Sequence, residues 1–221
     1  MLALAIAGCA RPVVREESTG VVSGLGTEFF SENFDKGEPW GQGKGSACER
    51  SYAEGRLVVQ NVSEDRTCEL DLWLVGPLPP RVRIELSAQY VDGPESADFG
   101  LKFGYKPLPE AGFHTFTVKA GGVFSVASYN GTGQWENLTR WRPDPFVYTG
   151  RGRANKLALE IRGRELRYFA NGALLGQLEL AHAPEGYVGL YLDAPGLVVH
   201  FDDFRVVNLP VSAAPDGEAA E

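Results

Sequence analysis

Between Arg164 and Val206 the chain reads RELRYFANGALLGQLEL, then GYVGLYLD, then LVVHFDDFRV. Asn171-Gly172 separates two runs in which apolar and polar residues alternate. A two-residue hairpin turn needs positive φ at both central positions, and Asn-Gly is among the pairs that accept it most readily. Val188, Leu190 and Leu192 alternate with Gly189, Tyr191 and Asp193, the period of a half-buried strand. Such a pattern commits the segment to antiparallel sheet with one face against a core.

The same period recurs upstream. Val82, Ile84, Leu86, Ala88 and Tyr90 alternate with Arg83, Glu85, Ser87 and Gln89; Phe99, Leu101, Phe103 and Tyr105 alternate with Gly100, Lys102 and Gly104. Leu157, Leu159 and Ile161 form a further row, and Asn130-Gly131 is a second hairpin signal. Apolar residues nowhere hold a 3.6 spacing across three turns, so no long helix is expected. Many short one-faced strands imply an all-β fold, a jelly-roll β-sandwich of two antiparallel sheets. A length of 221 residues suits one such domain. In the last run Leu197, Val199 and Phe201 keep one parity while Phe204 and Val206 keep the other, which places a one-residue bulge near Asp202-Asp203.

The ends read differently. MLALAIAGC is an apolar run closing on Ile6-Ala7-Gly8-Cys9, which resembles a bacterial lipobox, although no Lys or Arg precedes Cys9. The resemblance implies acylation of Cys9 and membrane attachment through its lipid, in the bacterial cell envelope outside the cytoplasmic membrane. Residues 10–28 lack alternation and read as a tether, 29–207 as the sandwich, and 208–221, small and acidic, as a disordered tail. With Cys9 lipidated, Cys48 and Cys68 are left as an even pair, expected to be a disulfide in an oxidising compartment. The alternative is two buried thiols in a cytosolic domain. A formal net charge of −8 with no basic cluster argues against a nucleic-acid partner.

The C-terminal pattern (LRYFANGALL, the GYVGL strand and the closing FDDFRV) resembles exported bacterial domains of the concanavalin A-like lectin/glucanase superfamily, of family-16-like or 3-keto-disaccharide-hydrolase type. The resemblance spans roughly 29–207 and implies a scaffold that hosts enzymes, lectins and inert modules alike. Family-16 enzymes carry their carboxylates on one strand as Glu-x-Asp-x-(x)-Glu. Here Glu69-Leu70-Asp71-Leu72-Trp73-Leu74 supplies two acids and then a leucine, early in the chain, so the scaffold carries over without its catalytic residues. Metalloprotease, serine-hydrolase and phosphate-loop motifs are absent, and no cofactor is implied.

Two constellations remain. Tyr129, Trp135, Trp141 and Tyr148 are interspersed with Arg140, Arg142 and Lys156, the aromatic-plus-polar mixture a saccharide's C–H faces and hydroxyls require. With Gln89 and Lys102, and with Arg83 and Glu85, from the polar sides of the long strands, Tyr129, Trp135, Trp141 and Arg142 are the candidate ligand-binding residues on one concave sheet. The alternative is core or edge packing. Asp35 in the first strand region and Asp202 and Asp203 in the last are candidates for a structural Ca2+, against bulge-capping aspartates without metal. The reading is a non-catalytic envelope lipoprotein displaying a carbohydrate- or envelope-binding module, with a glycan or an envelope protein as partner. Its alternatives are a structural lipoprotein that binds no sugar and a glycan-cleaving enzyme. Cys9→Ala is expected to release the protein from the membrane fraction; a variant that stays wholly membrane-bound contradicts the lipid anchor.

Overall fold

The computed structural model describes residues 26–35, 40–106, 108 and 112–210; Cys9, most of the tether and the tail from 211 lie outside them. The strands are β1 (Glu28–Glu32), β2 (Gly43–Lys44), β3 (Cys48–Ala53), β4 (Arg56–Asn61), β5 (Cys68–Asp71), β6 (Arg81–Asp92), β7 (Asp98–Tyr105), β8 (Phe113–Lys119), β9 (Val123–Tyr129), β10 (Trp135–Asn137), β11 (Arg142–Pro143), β12 (Ala154–Arg162), β13 (Glu165–Ala170), β14 (Ala173–Glu179), β15 (Tyr187–Leu192) and β16 (Val198–Asn208). One 3-10 turn, Trp73–Val75, follows β5.

Among the described residues these strands make two antiparallel sheets. A nine-stranded sheet runs β14-β13-β12-β6-β16-β4-β3-β2, with β1 also pairing to β16; a seven-stranded sheet runs β10-β9-β8-β7-β15-β5, with β11 also pairing to β9. The apolar parity of each strand fills the space between them. Val82, Ile84, Leu86 and Ala88 of β6 are wholly buried and Tyr90 nearly so, as are Leu157, Leu159 and Ile161 of β12. From the facing sheet come Phe99, Leu101 and Phe103 of β7 and Val188, Leu190 and Leu192 of β15. Removing each such side chain from water contributes roughly 1.5–3 kcal/mol, which is what holds the sheets together.

The turn and bulge chemistry follows the sequence. Asn171 (φ 50°) and Gly172 (φ 87°) form the two-residue turn between Ala170 and Ala173. The Asn130-Gly131 signal opens a longer turn, closed by Tyr129 opposite Trp135. In β16 Asp202 pairs with Ser87 and Arg205 with Glu85, so one extra residue stands on β16, with Asp203 at φ 51°. That bulge lets Phe201 and Phe204 both enter the core. Cys48 starts β3, directly after the irregular residues 45–47, and it is bonded to Cys68 at the start of β5 across a sequence separation of 20. The bond joins an outer strand of one sheet to the edge of the other.

Because the cross-link closes a loop of that length, the chain-entropy model gives it about 3 kcal/mol. Cys48→Ala/Cys68→Ala is therefore expected to lower the unfolding free energy by about that amount in denaturant titrations, with the fold retained.

Candidate functional site

The outward face of the seven-stranded sheet is the candidate site. On β5 the residues that turn away from the core are Glu69 and Asp71; on β15, Tyr187, Gly189 and Tyr191; on β7, Asp98, Gly100 and Lys102; on β8, Phe113, Thr115 and Thr117. A solvated sheet face would leave these exposed, yet Lys102, Thr115 and Thr117 are 1–2 % exposed.

Lys102 is the centre of this face. Its Nζ donates to Glu69 Oε2 at 2.7 Å, lies 2.8 Å from Asp71 Oδ1, and sits 4.0 Å and 4.6 Å from the ring centroids of Tyr105 and Phe113. An ammonium removed from water is unstable unless opposite charges and donors' acceptors surround it, and two carboxylates with two ring faces do so here. The reach from β7 to β5 crosses β15 at Gly189, which pairs with Lys102 on one side and Asp71 on the other. A Cβ there would come within 2.3 Å of the Leu70 carbonyl oxygen, so the glycine is what lets the β5 backbone lie this close.

A second irregularity adds an aromatic. Tyr187 pairs with Tyr105 while Val188 pairs with Phe103, so Gly104 (φ 72°) is an extra residue on β7. The alternation that assigns Tyr105 to the core row with Phe103 is corrected by this bulge, which swings Tyr105 onto the outer face. There it meets Trp73 at 5.8 Å, and Trp73 meets Tyr187 at 4.5 Å. Across the face Trp135 contacts Tyr129 at 5.1 Å, Phe113 at 5.5 Å and Tyr191 at 5.9 Å. β10 and β15 are four strands apart, about 19 Å in a flat sheet. Rings that meet over that span require a face that curves inward; Tyr191 stands opposite Gly100 in the ladder. Trp135 and Trp73 stay about half exposed, at 46 % and 49 %, so an aromatic rim surrounds a small-residue floor.

The expected single site is divided by the fold. Tyr129, Trp135 and Lys102 belong to this face. Gln89, Arg83 and Glu85 do not, because β6 lies in the other sheet and their side chains point from the opposite side of the molecule. Gln89 there accepts from Arg56 Nη1 at 2.9 Å and donates to the Gly152 carbonyl. Burial alone would raise the Glu85 carboxyl, but Arg83, at 2.8 Å, and Lys156, at 3.6 Å, hold it below its ordinary value. Trp141, Arg142 and Tyr148 sit on the 139–153 segment beyond β10. Lys119 stacks on Trp141, and Arg142 Nη2 donates to the Leu175 carbonyl at 2.6 Å. The Ca2+ candidates gather less than an ion needs. Asp35 accepts from Asn33, Asp202 lies 3.9 Å from Arg56, and Asp203 is the positive-φ residue of the bulge. Among the described residues no three His, Cys, Asp or Glu side chains are placed to hold a metal ion.

Glu69 and Asp71, an ordinary amphipathic pair in the sequence, prove to be the partners of Lys102. The strand ends at Asp71 and passes into the 3-10 turn, so no third acid continues it. Gly189 between Glu69-x-Asp71 and Lys102 was the available signal, readable only once the strand order is known.

No family model and no curated protein matches the chain. Solved structures do. A Bacillus subtilis protein of unknown function with a galectin-like fold aligns with TM-score 0.66 at 12 % identity, covering 83 % of this chain and 97 % of that one. The chain folds as a galectin-like jelly roll. The carbohydrate-binding module CBM66 from Bacillus subtilis aligns with TM-score 0.51 at 12 % identity, covering 83 % and 97 %. An endo-β-galactosidase from Clostridium perfringens that releases GlcNAcα1-4Gal aligns with TM-score 0.58 at 12 % identity, covering 90 % and 65 %. At these identities the likeness is one of fold, a jelly roll of two antiparallel sheets.

At the border of the jelly roll's curved face, Asp98 is raised to about 6 by burial first and then by the Asp193 carboxylate beside it. Between about pH 4 and 6 the folded chain keeps a proton there that the unfolded chain has released, so this group's contribution falls as pH rises through that window. Buried His114, lowered to about 4, acts oppositely between about 4 and 6.5. The parent's own profile therefore hides both. Compared with the parent, Asp98→Asn is expected to be neutral near pH 4 and stabilising at pH 7 by on the order of 1–3 kcal/mol, measured by denaturant unfolding at each pH.

Proposed function

We propose that the protein is a non-catalytic carbohydrate-binding module, exported and held in the bacterial cell envelope by lipid on Cys9. The observation that carries the reading is the curved outer face of the seven-stranded sheet, where Trp135, Tyr129 and Trp73 frame a polar floor. A saccharide presents C–H faces to stack on rings and hydroxyls to bond with carboxylates; this face supplies the exposed rings of Trp135 and Trp73 and the partly exposed carboxylates of Glu69 and Asp71. The disulfide supports export, since such bonds persist in oxidising compartments. The similarity in fold to CBM66 agrees with a binding role. Glu69 and Asp71 are engaged with the Lys102 ammonium instead of standing open to a glycosidic oxygen, which supports a site that binds without cleaving.

Glycan-array binding of the whole chain tests the reading, and Trp135→Ala is expected to weaken retention roughly tenfold, the order of a single aromatic stacking contact. A chain that retains no glycan contradicts it and leaves a structural envelope protein; a retained glycan that ignores Trp135 moves the site elsewhere.

A further inference from the structure

The 139–153 segment, together with the turns it packs against, forms a second surface whose construction the curved face does not explain. Its exposed rings are not loose. Val147 is 2 % exposed and anchors the segment, and the Phe146 amide donates to Asp144 Oδ1 at 2.9 Å. Asn155, 3 % exposed, clamps Tyr148 twice: its Oδ1 accepts from the Tyr148 amide at 2.7 Å and its Nδ2 donates to the Tyr148 carbonyl at 3.0 Å. Asn171 of the hairpin turn donates to the Phe146 carbonyl at 2.7 Å and to Asn155 Oδ1 at 2.9 Å. A backbone tied down on both sides nevertheless leaves Phe146 52 %, Tyr148 40 % and Trp141 36 % exposed. Rings presented to water from a rigid frame mark a contact surface more than a packing accident.

The charge of this segment sets what the surface fits. From Lys119 to Lys156 the chain has six basic residues (Lys119, Arg140, Arg142, Arg151, Arg153, Lys156) against two acidic ones (Glu136, Asp144), in a protein of net charge −8. Arg151 is paired with Asp92, Lys156 lies 3.6 Å from Glu85 and Arg142 donates to the Leu175 carbonyl, which leaves the exposed Arg140 and Arg153 as the guanidinium groups open to an anion. Two of the cations lie over exposed rings: Lys119 Nζ is 4.2 Å from the Trp141 centroid and the Arg153 guanidinium 4.6 Å from that of Tyr148. A ring with a cation on one face lies along the surface and offers its other face. A wedge that enters a bilayer instead projects its rings away from the cations at headgroup level. Flat rings beside guanidinium groups match a sugar ring that carries its own carboxylate, which stacks and pairs at once.

We propose that this surface is a second saccharide site, at the opposite end of β8 from Trp135, that binds an anionic polysaccharide of uronate type through Tyr148 and Trp141 with Arg140 and Arg153. It goes beyond the reading above and does not depend on it, since no residue is shared.

Affinity electrophoresis of the whole chain tests it, with polygalacturonate, unsubstituted dextran and poly-L-glutamate as separate probes. Polygalacturonate is expected to retard the protein at low ionic strength, and less as salt is added; dextran and polyglutamate, which lack the charge and the sugar ring respectively, are not. Arg140→Ser/Arg153→Ser and, separately, Tyr148→Ala are each expected to weaken the retardation about tenfold with the melting temperature unchanged, whereas Trp135→Ala leaves it as it is. No retardation by polygalacturonate overturns the proposal, as does equal retardation by polyglutamate or a double arginine variant that is retarded like the parent. Vesicles of phosphatidylglycerol that bind the protein with the same sensitivity to these variants, and displace polygalacturonate, overturn it in favour of a membrane surface.

Discussion

A single buried ammonium holds the outer face of the seven-stranded sheet in its shape. Lys102 on β7 reaches across β15 to two carboxylates on β5 and lies between rings from β7 and the start of β8. Removing one partner of a buried ion pair leaves an uncompensated charge, a cost of several kcal/mol, so the lysine and its two carboxylates stand or fall together. The edge strand β5 depends on this arrangement twice, because its first residue is also the cysteine bonded to β3. One end of β5 is thus tied to the opposite sheet and its outward face to the centre of its own.

Two glycines make that geometry available. Gly189 admits the β5 backbone, since a Cβ there would come within 2.3 Å of the Leu70 carbonyl oxygen. Gly104 supplies the extra residue that turns Tyr105 outward. The nine-stranded sheet solves its own outer face by other means. Arg83 bridges Glu85 and Glu160 at 2.8 and 2.9 Å while its guanidinium lies 4.9 Å from the Phe169 ring, a charge lattice that covers the sheet. One outer face is therefore a paired ionic lattice and the other an aromatic hollow with a single cation sealed beneath it. This asymmetry directs a functional reading to the second.

The jelly roll also separates surfaces that lie close together in the sequence. Trp135 and Trp141 are six residues apart, yet one meets Tyr191 over the curved sheet and the other lies under Lys119 at the far end of β8. Asn171 itself shows how a turn residue gains a second use. Its positive φ makes the hairpin, and its side chain, left free to bond by that geometry, fixes the Phe146 carbonyl.

Much of this architecture was legible in the chain alone. Asn171-Gly172, the rows Val82–Tyr90 and Leu157–Ile161, and the parity change that places a bulge at Asp202-Asp203 rest on local rules, since a strand's period and a turn's φ are set by neighbouring residues; the pairing of Cys48 with Cys68 came from the cysteine count. Side-chain alternation says which residues face the core, and it says nothing about which sheet a strand joins. Gln89 and Lys102 therefore look alike as polar positions of long strands, although the fold places them on opposite sides of the molecule. Tyr105 read as core because a bulge at Gly104 leaves no mark in the alternation before it. The lysine cage needed Glu69, Lys102, Phe113 and Gly189, residues spread over more than half the chain, and only the strand order of the folded sheet brings them together.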